Sequence, residues 1–135
     1  MREVLFDTNI ILDIALKRQE FFEDAFQLFK LIDESKIIGW VTASTLTDIY
    51  YISKREKGHA SAINFIKGLI ELVGVIGIDK DIIYKALFSE FKDFEDAVQA
   101  SAAEINNIQF IITRNKKDFT NTVANVLTPK EFLGS

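Results

Sequence analysis

Five short apolar runs punctuate this chain: Glu3–Phe6, Ile37–Val41, Val73–Ile78, Ile108–Thr113 and Val123–Leu127. Most are continuously apolar rather than alternating. A strand with one wet face alternates; a strand covered on both faces does not, and strands covered on both faces belong to parallel sheets. Helical patterns separate the runs. That alternation predicts an α/β domain of three layers with right-handed crossovers.

The helical stretches are read from spacing. Ile10, Ile11 and Ile14 begin a helical pattern directly after the first strand. Phe22, Ala25, Phe26, Phe29 and Ile32 put one apolar stripe on a helix over residues 20–34. Leu46, Ile49, Tyr50 and Ser53 predict another, capped by Ser44. A further helix, carrying Ile63, Ile66, Leu69, Ile70 and Val73, follows the Lys57-Gly58 break. Asp79 or Asp81 starts the next, and Asp93 the one after it, through Ala97, Val98 and Ala100. Thr128-Pro129 opens a last short helix, since proline suits the first turn. Two helices thus fall between the first and second strands, and two more between the second and third.

Composition narrows the chemistry. The chain has 135 residues, enough for one domain (1–135) with a real core, and its single proline leaves no linker. It has no cysteine and one histidine, His59. Disulfides, thiolate metal sites, cysteine nucleophiles and histidine-rich sites are therefore excluded. Any metal must be held by oxygen, which favours Mg²⁺ or Mn²⁺ over zinc. No apolar stretch reaches the ~20 residues of a membrane helix. Met1-Arg2-Glu3 lacks a signal-peptide layout, so a cytoplasmic protein is expected. The net charge of −4 argues against bulk electrostatic binding of nucleic acid, although a carboxylate cage carries negative charge until a cation fills it.

The acids are where the chemistry is expected. Asp7 ends the first strand, and in open parallel sheets ligands bind at the carboxyl ends of strands. Asp48 falls early in the helix after strand two. Asp93 and Asp96 open the helix before strand four, and Asn115 and Asp118 follow that strand after Thr113. Helix starts also favour anions. Each acid has a plainer reading. Asp93 and Asp96 have the spacing of an acidic capping box, although Asp96, beside Ala97 and Ala100, is placed to face a site. Asp48 sits among polar neighbours, and Asp118 can simply start a turn. Asp79 and Asp81 are explained as caps, and Asp13, Asp24 and Asp33 as solvated helix faces or ends. What singles the set out is that its members, spread over the whole chain, fall at matching topological positions.

Four segments carry a family resemblance: Asp7-Thr8-Asn9, Asp48 in its helix, Asp93-Phe94-Glu95-Asp96-Ala97, and Thr113-Arg114-Asn115-Lys116-Lys117-Asp118-Phe119. With the closing Leu127-Thr128-Pro129-Lys130-Glu131-Phe132, the chain resembles a PIN-domain ribonuclease, the fold of VapC-type toxins. The resemblance covers nearly all 135 residues. It implies a five-stranded parallel sheet flanked by helices, a Mg²⁺ or Mn²⁺ site and cleavage of single-stranded RNA. It also implies an antitoxin partner. Asp7, Asp96 and Asp118 match the acidic motif. Asp48 stands where the family more often has glutamate, and either Asn115 or Asp118 supplies the fourth member. Asn9 and Thr113 match supporting polar positions.

The chemistry is coherent on its own terms. Asp7 and Asp96 are expected as primary ligands, with Asp118 and Asp48 completing the cage or orienting water. Thr8, Asn9 and Thr113 would hold the carboxylates in place. One metal or two would serve, a second lying roughly 4 Å away to stabilise the leaving oxygen. Two basic stretches, Lys54–His59 and Arg114–Lys117, read equally as phosphate contacts and as solvated helix ends or loops. Tyr50 and Tyr51 read as base-stacking groups or as a packing surface. The aromatics Phe21, Phe22, Phe26 and Phe29 exceed what one thin core needs, which points to a homodimer. Three rivals stand against a nuclease. A receiver domain needs an acidic pair after strand one and a lysine at the tip of strand five, and both are missing. An Asp-x-Asp phosphatase fails at Asn9. A non-catalytic PIN-fold binding module remains open.

Overall fold

The computed structural model describes all 135 residues, Met1–Ser135. The first strand, β1 (Arg2–Phe6), explains most of the architecture. Its inner residues are apolar at every position, and Val4, Leu5 and Phe6 are wholly buried. Side chains of a strand alternate faces, so both faces of β1 must be covered. Val4 and Phe6 enter one core with α1 (Thr8–Ala15), α2 (Phe22–Asp33), α3 (Ala43–Lys57), α4 (His59–Leu72) and α7 (Pro129–Leu133). Leu5 enters the other, against α5 (Lys80–Leu87) and α6 (Phe94–Ile105). The three layers are helices, sheet and helices.

The sheet holds β2 (Ile37–Thr42), β3 (Gly74–Ile76), β4 (Phe110–Ile112) and β5 (Asn125–Leu127) beside β1, in the order β3-β2-β1-β4-β5. Every pairing is parallel. The expected α/β class and five-stranded parallel sheet are therefore present. Helix pairs α1–α2 and α3–α4 form the first two connections, as the spacing implied. The chain runs outward from β1 to β3, then returns to the far side of β1 as β4. That reversal places the topological switch point between β1 and β4. No helix is long and apolar enough to cross a membrane.

Several boundaries differ from those read in the sequence, for local reasons. β3, β4 and β5 are three residues each, shorter than their apolar runs. Val73 closes α4 as its C-cap, and Ile108 packs in the core ahead of β4. Ser44 does not cap α3. Thr42, at the end of β2, accepts a hydrogen bond from the Thr45 backbone N–H at 3.3 Å. Asp79 rather than Asp81 caps α5, accepting from the Ile82 N–H at 3.0 Å. Thr128 and Glu131 form a full capping box around Pro129, and the backbone hydrogen bond to Thr128 and then Lys116 hold the Glu131 carboxyl below its usual range.

Gly39 marks where the first core presses on the sheet. A methyl group there would stand 2.6 Å from Ile32 Cδ1 and 2.8 Å from Phe6 Cε2, both core atoms without free space. Gly39→Ala is therefore expected to destabilise the fold by ~1–3 kcal/mol, the usual cost of overpacking. Denaturant unfolding measures it, and an unchanged midpoint would contradict the close packing.

Candidate active site

β1 and β4 end side by side, and the site is built across that seam. The Asp7 backbone N–H continues the pairing by donating to the Ile112 carbonyl at 3.0 Å. Asp7 sits at the N-cap of α1 but makes no side-chain cap. Its carboxylate instead accepts from the Thr113 hydroxyl across the seam, at 2.8 Å. With only 6% of its surface exposed, Asp7 has its pKa raised by burial. The Thr113 bond, the Thr8 backbone, Gln99 and the Arg114 charge all act in the opposite direction. An acid that forgoes its cap and gives up hydration is one held for another purpose.

A chain of hydroxyls ties the ends of β1 and β2 together. Thr8 Oγ1 lies 2.9 Å from Thr45 Oγ1, and the Thr42 hydroxyl donates to Thr45 Oγ1 at 3.2 Å. Thr8 also donates to Glu95 Oε1 at 3.0 Å, which brings in the first turn of α6. Gln99, one helical turn after Glu95, donates to Thr8 at 3.2 Å and is fully buried. On the same α6 start, Asp93 is a cap: its Oδ1 accepts from the Asp96 N–H at 3.0 Å.

The acids named from the sequence converge. Asp7, Asp48, Asp93, Asp96 and Asp118 all line one cleft of about 450 Å³, together with Thr8, Asn9 and Asn115. Thr113 lies behind it, holding Asp7 and accepting from the Asn115 N–H at 3.0 Å. Asn115 and Asp118 both reach the cleft, so the choice between them stays open. Their joint charge acts on the carboxyls themselves. The Asp96 carboxyl is pushed up to about 7 by burial and then by the charges of Asp7, Asp93 and Asp118. Glu95 is pushed up to about 7 as well, by burial first and then by the Asp48 carboxyl facing it.

Glu95 and Gln99 are parts of the site that the sequence reading passed over. The signal was present: two polar residues at i and i+4 on one helix face, beside Asp96, with Ala97, Val98, Ala100 and Ala102 filling the buried faces. Other expectations need correction. Asp13 is not a solvated helix residue; it is completely buried and paired with Arg114 at 2.9 Å and Arg18 at 3.3 Å. Arg114, in the loop after β4, is accordingly neither a solvated cation nor a free phosphate contact. Its fork grips Asp13, and its Cζ lies 3.8 Å from the centroid of the Phe21 ring. Lys116 pairs with Glu131 at 3.0 Å. Lys54, Arg55 and Lys57 occupy the last turn of α3, just past Ile52, which lines the cleft, and none of the three lines it. Tyr50 bonds His59 Nδ1 at 2.8 Å rather than facing the cleft.

On donor chemistry the cleft suits a hard cation: every ligating group is oxygen, and burial with like-charged neighbours pushes the Asp96 and Glu95 carboxyls up to about 7. No three acidic or histidine side chains already stand as a finished coordination shell. The residues fit by charge and type, and their final convergence on an ion would require side-chain rotation.

Residues 3–117 match the family model described as a PIN domain. The fold is also that of several solved structures. DNA-bound VapBC from Salmonella typhimurium aligns with a TM-score of 0.72 at 15% identity, covering 96% of this chain and 99% of that one. A toxin–antitoxin complex from Klebsiella pneumoniae gives 0.70 at 24%, covering 93% and 97%. A sarcin–ricin-loop-cleaving toxin from Mycobacterium tuberculosis gives 0.65 at 15%, covering 80% and 86%. At such identities the likeness is one of fold. No curated protein sequence matches the chain. The sequence match over residues 3–117, the strand order and the acidic cleft at the β1–β4 switch point agree, and the chain belongs to the PIN domain family.

Proposed function

We propose that this chain is a metal-dependent endoribonuclease that cuts single-stranded RNA, acting as one domain and as the toxin of a toxin–antitoxin pair in the cytoplasm. The observation that carries the reading is the convergence of Asp7, Asp48, Glu95, Asp96 and Asp118 on one cleft at the switch point, where burial raises the Asp7 carboxyl and burial with like-charged neighbours raises Asp96 and Glu95. Asp7, Asp96 and Asp118 are the proposed metal-holding residues, and Asp48 and Glu95 would complete the cage or orient water. A bound Mg²⁺ or Mn²⁺ would supply a water of lowered pKa and positive charge for the leaving oxygen. Thr113 keeps the Asp7 carboxylate turned toward the cleft, and Thr8 does the same for Glu95. A carboxyl titrating near 7, as Glu95 does, can take or return a proton at neutral pH.

Substrate access is supported by a second cavity of about 410 Å³ that shares Asp93, Asp96 and Asp118 with the cleft. Lys92 and Lys117 stand on its walls, where they would meet backbone phosphates. An antitoxin is supported by the toxin–antitoxin assemblies among the structural relatives. Association into a homodimer is supported by the Phe22–Phe26 stack, whose Phe26 is 46% exposed. A non-catalytic PIN module is the second reading, favoured by Asp48 standing where the family more often has glutamate and by Asn115 and Asp118 both reaching the cleft.

Purified protein is expected to cut single-stranded RNA with Mg²⁺ or Mn²⁺ and to stop with EDTA. Cleavage indifferent to chelation would remove the metal mechanism, and binding without cleavage would favour the module. Expression alone should arrest growth while the Asp7→Asn form does not; equal growth of the two would count against a toxin.

The raised pKa values set the sign of the pH dependence. Asp96 and Glu95 move from 3.8 and 4.5 to about 7 on folding. Between those limits the folded chain holds more protons than the unfolded chain, so metal-free stability falls as pH rises through that window. Asp96→Asn should therefore melt above the metal-free parent at pH 7.5, converge with it near pH 4, and lose cleavage. A lower melting temperature at pH 7.5 would contradict the crowding. Mn²⁺ affinity should weaken from pH 7.5 to 5.5, because protons compete for the same oxygens. Equal calorimetric affinities at the two values would refute that.

A further inference from the structure

We infer that Asp13 and Arg114 are a positioning pair for the acidic cleft, clamping together the two backbone segments that leave β1 and β4. Asp7 and Asp13 are the only buried charged side chains. Asp7 lines the cleft and Asp13 does not. Asp13 instead receives both arms of the Arg114 fork, Nε to Oδ2 at 2.9 Å and Nη2 to Oδ1 at 3.2 Å. The Phe21 ring covers the guanidinium at 3.8 Å, and Arg114 itself is 23% exposed.

The placement gives the pair its role. Asp13 stands on α1, the helix that opens with Thr8 and Asn9. Arg114 stands between Thr113, which holds Asp7, and Asn115, which lines the cleft. A swing of the backbone at Arg114 would carry the Thr113 hydroxyl off Asp7 and release the Asn115 N–H that Thr113 accepts at 3.0 Å. Asp118 would move too, since its N–H donates to the Asn115 carbonyl at 3.0 Å. Asp13 also reaches the other wall: Arg18 Nη1 bonds both Asp13 Oδ1 and Asn9 Oδ1 at 3.3 Å. One buried carboxylate thus fixes residues on both sides of the seam.

Stability alone does not account for this. A buried ion pair is generally no more stable than a well-packed apolar pair of the same volume. What a forked pair adds is direction, because two parallel hydrogen bonds define an orientation that apolar contact does not. The effect on metal rests on the proposed nuclease reading; the effect on backbone order does not.

The test uses Arg114→Lys, which keeps the charge and loses the fork, and the neutral pair Asp13→Asn with Arg114→Gln. In metal-free protein, hydrogen exchange at the Asn115 and Asp118 amides should quicken ~10-fold or more while β1 amides keep their rates, as for a local opening. Mn²⁺ affinity by calorimetry should fall ~10- to 100-fold, the usual range when a residue orienting a ligand is lost. RNA cleavage should fall in kcat with KM little changed. Folded variants with parental exchange at both amides would overturn the inference, leaving the pair as a staple of the fold. Unfolding of both variants would overturn it as well. If exchange quickens but the parent binds no Mn²⁺, the positioning pair stands and the metal reading falls.

Discussion

The hydrogen bond from Thr113 to Asp7 joins chain segments 106 residues apart and closes the seam at the centre of the sheet. Its importance comes from a conflict. The switch point between β1 and β4 is the one place where the sheet leaves a crevice at its carboxyl edge, so a reactive group belongs there. The same place is buried, and burial penalises a carboxylate. Thr113, the Thr8 backbone and Gln99 offset part of that penalty without removing it. Asp7 is therefore held in place but left short of charge compensation, and a cation can supply what is missing.

The rest of the cleft repeats this arrangement. Asp96 and Glu95 each suffer from burial and from a neighbour of the same sign. Glu95 is supported by the Thr8 hydroxyl and the Gln99 amide rather than by lysine or arginine, and Asp96 has no such donor. The one arginine near Asp7 has both arms on Asp13. Arg114 and Arg18 are thus engaged in fixing backbone around Asp13, and the cleft carboxylates form no ion pair with either. A protein tuned only for stability would have neutralised them, and function is the physical reason to leave such a debt outstanding.

Much of this was legible in the chain because the signals are local. Apolar runs covered on both faces gave the parallel strands, and helix starts gave the positions of Asp48, Asp93 and Asp96. The misses share one cause: they depend on partners distant in sequence. Asp13 reads as a surface acid until Arg114, about a hundred residues later, is brought against it. Ser44 is as good a cap by composition as Thr42, and the choice was made by the hydroxyl chain through Thr45 and Thr8. Glu95 looks like an ordinary first-turn acid until the fold sets Asp48 opposite it. β3, β4 and β5 came out shorter than their apolar runs because the flanking residues pack as caps and connections instead of pairing.

The strand order also dictates a sequence of events during synthesis. β1 is made before the other strands of the sheet, and β2 and β3 can pair on one side of it as they follow. The other side has no partner until Phe110–Ile112 are made. Throughout that interval Asp7 lacks its Thr113 donor, Asp13 lacks the fork of Arg114, and Asp118 does not yet exist. A nascent chain therefore carries an open strand edge and an incomplete cleft until β4 and the residues after it are made. The two are resolved together, by the same few residues.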